Sequence, residues 1–327
     1  MANQITIIGL GQIGTSIGLA LANHPELVRV GHDKEFGMGR KAEKMGAVDK
    51  VSNNLFNAVE KADLIVLALP VDQVKETLEL IAKDLKPGTV VMDTAPIKAA
   101  VADWIQHLLP EDRFYVGLTP VINPLYLMEP GRGIDAARAD LFQKGLIAIV
   151  TPSHISTQAI QLAIDFTSLL GAEHMFADVT EIDGLMAATH LLPQIISTAL
   201  LNMTVDQAGW KEARKVAGRA FARVTDPTIS SDDPAALAYA AVHNSESVGR
   251  VLDTLIYTLQ EIRAEVTDRD SKALEERFTR ARDGRLNWLG ERSSANWAAR
   301  ELDPSSNVPS STEWLGRLVG IHPKKKK

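Results

Sequence analysis

Along the first half of the chain, short apolar runs alternate with longer stretches of helical spacing. "ITIIGL", "LVRVGHD", "ADLIVLALP", "TVVMDT", "RFYVGL" and "GLIAIVTP" read as strands. "GTSIGLALAN", "GMGRKAEKMG", "VDQVKETLELIAKDL" and "APIKAAVADWIQHLL" read as helices among them. The strands are nearly continuous in apolar residues, as parallel strands covered on both faces are. This alternation predicts an α/β fold with a Rossmann-type doubly wound parallel sheet over residues 1–152. Beyond Thr151 the spacing becomes helical, with one short strand, "EHMFA", at the sheet edge. Several of these helices are apolar over a wide arc. Burial against a second copy accounts for that arc, so residues 153–286 are expected to form an all-helical substrate and dimerisation domain of a homodimer. Residues 287–327 are rich in Ser, Pro and Trp and read as a loosely ordered extension with a basic tail.

The first strand runs into "GLGQIG", with glycines at 9, 11 and 14. Alone this spacing is a weak signal. Here it follows a strand, opens a helix, and is joined by Asp33, 19 residues beyond Gly14, at the end of the second strand. Each part has a task in dinucleotide binding. Gly9 allows the tight turn, Gly11 leaves room for a pyrophosphate, and Gly14 lets helix and strand approach. The helix start, with Gln12 and Ile13, offers free N–H groups to phosphates. Asp33 suits ribose hydroxyls and repels a 2′-phosphate, so NAD is expected over NADP, although Lys34 is adjacent. A glycine turn without a nucleotide is the alternative. In this fold the loop Leu69, Pro70 and Val71 lies along the nicotinamide half of the cofactor.

Composition narrows the chemistry. The chain has 327 residues, 45% hydrophobic and 23% charged, enough for two domains. It has 0 cysteines, which excludes disulfides, thiolate metal sites and a cysteine nucleophile. The net charge is −6 although the chain ends in "KKKK", so the body is acidic and nucleic-acid binding is not expected. No signal peptide or membrane span is read from the apolar runs, which fits a cytoplasmic protein. The tail "STEWLGRLVGIHPKKKK" gives at most a weak lipid contact. No His/Asp/Glu spacing suggests a metal site.

Several segments together resemble the prephenate/arogenate dehydrogenase family of tyrosine biosynthesis. They are "IIGLGQIGTSIGLAL", "ADLIVLALPV", "VMDTAPIK", "RFYVGLTP", "GRGIDAARADLFQKGLIAIVTP", "LLGAE" and "EIDGLMAATHLLPQIISTAL", in the family's order from residue 4 to about 255. The resemblance implies a Rossmann-like domain followed by a helical dimerisation domain, with NAD or NADP as cofactor. It implies hydride removal from the ring carbon bearing the hydroxyl, with loss of the ring carboxylate as carbon dioxide. In the family a histidine accepts the hydroxyl proton and arginine holds the carboxylates.

At those positions this chain departs from the pattern. "D-x-G-S-x-K" reads "DTAPIK", keeping Asp93 and Lys98 but placing Pro96 at the serine. "G-G-H-P-x-A-G" reads "GLTPVIN", so Thr119 stands where the catalytic histidine belongs. "S-H-L-P-H" reads "THLLPQ", which leaves His190 shifted by one residue and puts Gln194 at the last histidine. In "AFARVTDPTISSDDP" the family arginines fall near Ala222 and Asp226, and Arg219 and Arg223 are displaced candidates for holding a carboxylate. Threonine cannot serve as a general base near neutral pH, whereas histidine titrates there. Another residue supplies the base, the substrate differs, or turnover has been lost.

The candidates for the reacting region are Thr119 and His190, with Arg132 and Lys98 beside a substrate carboxylate. Each has a bland alternative: a packed core histidine, an exposed loop arginine, a solvated lysine. Asp183, seven residues before His190, either orients it or is a helix-start acid. The expected function is an NAD(P)-dependent oxidoreductase of this dehydrogenase type. The alternatives are an oxidoreductase of a different small acid, imine or hydroxy acid, and a dinucleotide-binding protein without turnover.

Overall fold

Side chains alternate across a strand, so a strand apolar on both sides needs cover on both sides. The computed structural model describes residues 3–129, 131–151 and 156–294 and shows this arrangement. The strands are β1 (Asn3–Ile8), β2 (Leu27–His32), β3 (Lys50–Val51), β4 (Leu64–Leu67), β5 (Val90–Asp93), β6 (Phe114–Val121), β7 (Leu146–Val150) and β8 (Glu173–Phe176). They form one sheet in the order β3-β2-β1-β4-β5-β6-β7-β8. The helices between them are α1 (Gln12–Ala20), α2 (Phe36–Lys44), α3 (Leu55–Val59), α4 (Val71–Ile81), α5 (Ala99–Leu108) and α6 (Thr157–Leu169).

Two cores follow from the alternation. Ile5, Ile7, Leu64, Val66, Val90 and Met92 point to one face and pack with Ile17 of α1 and Phe166 of α6. Ile8, Ile65, Leu67 and Val91 point to the other and pack with Val74, Leu78 and Trp104 of α4 and α5. That second core also takes in Ala187, Leu191, Ala240 and Val248 from the helical region. The helical domain is therefore seated on the α4–α5 face of the sheet.

Two features differ from the wholly parallel sheet expected. β7 runs antiparallel to β6, with Thr119 opposite Ala148. The chain between them holds only short 3₁₀ turns at Pro124–Tyr126 and Gly133–Ala136, and a parallel return needs a full crossover. α6 supplies such a crossover, and β8 pairs parallel to β7. The sheet layer thus continues to Phe176, past the boundary expected near residue 152.

The helical region contains α7 (Val179–Met186), α8 (Leu192–Val205), α9 (Trp210–Val216), α10 (Arg219–Thr225), α11 (Pro227–Ser230), α12 (Pro234–His243), α13 (Ser245–Thr267) and α14 (Ser271–Ser294). α14 is regular up to Ser294, beyond Asn287 where the loosely ordered extension was expected to begin. The basic tail lies outside the described residues. α7 and α8 are joined without a break by a π turn, Ala187–Leu191. Pro193 accounts for it: proline has no N–H for the carbonyl of Thr189, and its ring crowds that carbonyl in a regular helix. The continuous helix Val179–Val205 is long and apolar enough to cross a membrane by length and composition, contrary to the sequence expectation of no such run. Here it is the spine of the helical domain, with Ala187 and Leu191 buried against the α4–α5 face.

Glycine is required at two points of the first turn. Gly9 has φ +90°, and a Cβ there would lie 2.3 Å from the Ala68 carbonyl oxygen. A Cβ on Gly14 would lie 1.9 Å from the Gly9 carbonyl oxygen. Both neighbours are backbone and cannot swing away. Gly14→Ala is therefore expected to cost about 1–3 kcal/mol and to lower Tm by several degrees in thermal melts. An unchanged Tm would contradict this packing.

Candidate functional site

The order of the sheet reverses between β1 and β4, and α1 and α4 leave toward opposite faces. Ligands of open α/β sheets bind at the carboxyl ends of strands at such a point. A cleft of about 640 Å³ lies there, lined by Gly9, Gly11, Asp33, Leu69 and Pro70 among others. Gly11 has nothing within 4 Å of the place a Cβ would take, so the space over it is open. Gly11 caps α1 without a side-chain hydrogen bond, leaving the first turn's N–H groups to an anion. Asp33 is held in place: its carboxylate accepts from Leu10 N at 2.7 Å and Glu35 N at 2.8 Å. This donor set fits a dinucleotide, with phosphates on the α1 terminus and a ribose at Asp33.

A second cleft of about 400 Å³ continues from it, sharing Gly11, Leu69, Pro70 and Asp233. Gln12, Ile13 and Val71 line it from the nucleotide side. The Gln12 side chain also donates to the Ala136 carbonyl at 3.2 Å. Thr119 and Pro120 enter from the end of β6, and Arg132, His190 and Asp232 from the far side. Thr119 is only 3% exposed, and its Oγ1 has no hydrogen-bond partner among the described residues. It is a buried hydroxyl at the wall of the cleft.

His190 sits in the π turn. Its Nε2 lies 2.7 Å from Asp232 Oδ2. Gln194, one turn on, locks this pair. Its Nε2 donates to Asp232 Oδ2 at 3.1 Å and to the His190 carbonyl at 3.0 Å, and its Oε1 accepts from Asp232 N at 3.1 Å. Burial raises the Asp232 pKa, but the hydrogen bonds and charge of His190, with Gln194 and Arg132, outweigh it and leave the carboxyl below its ordinary range. Asp232 was not singled out in the sequence. It stands 42 residues from His190, and "SSDDP" reads as an ordinary helix start before Pro234.

The remaining candidates divide. Arg132 reaches the cleft, where it donates to Asp233 Oδ1 at 2.5 Å and to the Ile229 carbonyl at 3.0 Å. Lys98 does not. It is fully buried, with Nζ 2.7 Å from Asp93 Oδ1, and burial pulls its pKa down against the charge of Asp93. Asp93 also accepts from the Tyr115 hydroxyl at 2.6 Å, so Lys98 belongs to a sealed cluster under the sheet end and cannot meet a substrate carboxylate. Arg219 and Arg223 lie exposed on α10 and do not line the cleft. Their four-residue spacing gives one helical face, but that face looks outward. Asp183 does not orient His190. Its carboxylate accepts from Lys98 N at 2.6 Å and Ala99 N at 3.0 Å, the free amides at the start of α5. Among the described residues, no group of three His, Asp or Glu could hold a metal ion.

Comparison with known proteins agrees with this construction. Residues 17–176 match the model of the prephenate dehydrogenase nucleotide-binding domain, and residues 178–280 match that of the prephenate dehydrogenase dimerization domain. The cyclohexadienyl dehydrogenase of Zymomonas mobilis is 27% identical over 285 residues, covering 86% of this chain and 95% of its own length. The prephenate dehydrogenase of Bacillus subtilis is 25% identical over 288 residues, covering 87% of this chain and 76% of its own. The crystal structure of prephenate dehydrogenase from A. aeolicus with hydroxyphenyl propionate and NAD+ has the same fold, with a TM-score of 0.76 at 17% identity over 88% of this chain and 98% of that one. With both domains matched end to end, the chain belongs to the prephenate dehydrogenase family.

Proposed function

We propose that this dehydrogenase uses NAD to oxidise and decarboxylate a cyclohexadienyl acid, prephenate or arogenate, with His190 as the proton acceptor. The observation that carries the reading is the continuity of the two clefts through Gly11, Leu69 and Pro70. A dinucleotide lying on the α1 terminus and Asp33 ends where Thr119, His190 and Asp232 converge. The bound nicotinamide would supply the hydride acceptor. The chain's own residues handle the substrate. His190 takes the hydroxyl proton as the ring carbon is oxidised, and returns it to the phenolic oxygen as the carboxylate leaves and the ring becomes aromatic. Asp232 orients the imidazole and balances its charge while it holds that proton. Thr119 offers a neutral hydrogen bond to the substrate where it cannot serve as a base. Arg132 is the arginine in reach of a carboxylate. A cytoplasmic homodimer accords with the dimerization-domain match and with exposed apolar side chains on the last helices, such as Val242, Tyr257 and Phe278.

Three outcomes test this reading. In steady-state assays of NAD reduction, His190→Gln should lower kcat by about 10²–10⁴-fold while NAD binding stays unchanged. Retention of wild-type kcat would remove His190 from the chemistry. Asp33→Asn should weaken NAD and narrow its advantage over NADP in titrations, because the negative charge facing a 2′-phosphate is gone. A wild-type preference for NADP would refute the role of Asp33. Asp232 has a folded pKa below its ordinary value of 3.8, so its ionised form stabilises the fold above that pH, and the contribution is lost as pH falls through the folded value. Thermal melts from neutral pH to about pH 3 should therefore fall less steeply for Asp232→Asn than for wild type, and parallel curves would contradict the linkage.

A further inference from the structure

We propose that the substrate of this cleft carries an ammonium group beside its carboxylate, and that the wall formed by Asp232 and Asp233 selects it. The inference rests on the cyclohexadienyl reading above and decides between its two substrates. The argument is one of charge. Among the described residues lining the cleft, Asp232 and Asp233 are carboxylates and Arg132 is the one lysine or arginine. Arg132 already spends two of its donors on Asp233 and the Ile229 carbonyl. The other cations considered are elsewhere: Lys98 is sealed against Asp93, and Arg219 and Arg223 lie outside the cleft. Asp232 stays ionised near neutral pH because His190 and Gln194 hold it.

A second, independent feature indicates a ligand at this wall. Thr119 Oγ1 is buried and has no partner among the described residues, and its residue lines the same cleft. A buried hydroxyl left unpaired is costly, so a polar group of the substrate is expected to complete it. That group is neutral in either substrate, the ring hydroxyl. What separates the substrates is the side chain. Prephenate has a keto acid there and enters with two carboxylates and no cation. Arogenate has an ammonium in place of the keto oxygen. Taking a second carboxylate out of water against Asp232 and Asp233 has no cation to offset it, and like charges at close range disfavour the ionised form. An ammonium placed at the same wall gains what the carboxylate loses, and Arg132 can turn its remaining donors to the carboxylate of the same side chain.

The test measures kcat/KM of the full-length enzyme with arogenate and with prephenate at saturating NAD, for wild type and Asp233→Asn. Wild type is expected to favour arogenate by about tenfold or more, which corresponds to about 1.4 kcal/mol. Asp233→Asn should bring the ratio toward one, chiefly through a raised KM for arogenate. In wild type, where the variant's folding is not in question, tyrosine should compete more strongly than 4-hydroxyphenylpyruvate. Prephenate oxidised as well as or better than arogenate, a ratio unmoved by Asp233→Asn, or the reverse order of inhibition would overturn the inference while leaving the cyclohexadienyl reading intact. Turnover of neither substrate would overturn both.

Discussion

The geometry of the cleft depends on one carboxylate outside it. Asp183, on the first turns of the long helix, accepts the N–H groups of Lys98 and Ala99 at the start of α5. Its own carbonyl accepts from Asn244 Nδ2 at 2.8 Å, at the start of α13. One residue thus ties the sheet domain to two parts of the helical domain. Burial raises its pKa, against the hydrogen bonds from Lys98 and Ala99 that lower it. The two amides would otherwise be buried without acceptors, so the interface cannot slide without exposing them. That fixed seat sets how far His190 stands from the end of β6.

Beneath the seat lies the Asp93, Tyr115 and Lys98 cluster. A buried ion pair is poor evidence of stability, since desolvation offsets most of its attraction. Its value here is positional. Asp93 ends β5 and also accepts from Ala95 N at 2.8 Å, so it shapes the turn that carries Thr94 and Pro96 to the cleft. The dinucleotide half needs no such support, because its glycines meet backbone atoms directly.

What could be read in the sequence was local. The glycine spacing, the acid after β2 and the strand–helix alternation each occupy a short window, and physics within that window decides them. The antiparallel β7 had a signal too: no helix lies between Val121 and Leu146 to carry a parallel crossover. The catalytic side was harder. Lys98 looked available because it stands beside a helix start, and only the three-dimensional packing of β5, β6 and α7 closes it off. Asp232 had the look of a helix cap, and it finds His190 only because α8, α11 and α12 meet there. Arg219 and Arg223 shared a face as their spacing required, yet spacing does not say where a face looks.

The π turn at Ala187–Leu191 has a consequence for how this site can vary between lineages. A helix turns about 100° per residue, so a turn widened by one residue changes the phase of everything after it. His190 is placed by that widening, between a first stretch anchored by Asp183 and a second that begins at Pro193. Losing one codon within the turn would restore an ordinary helix and swing the imidazole away from Asp232, while the cores on both faces of the sheet stayed whole. The reactive dyad is thus a property of reading frame along a single helix, which drift can add or remove without rebuilding either domain.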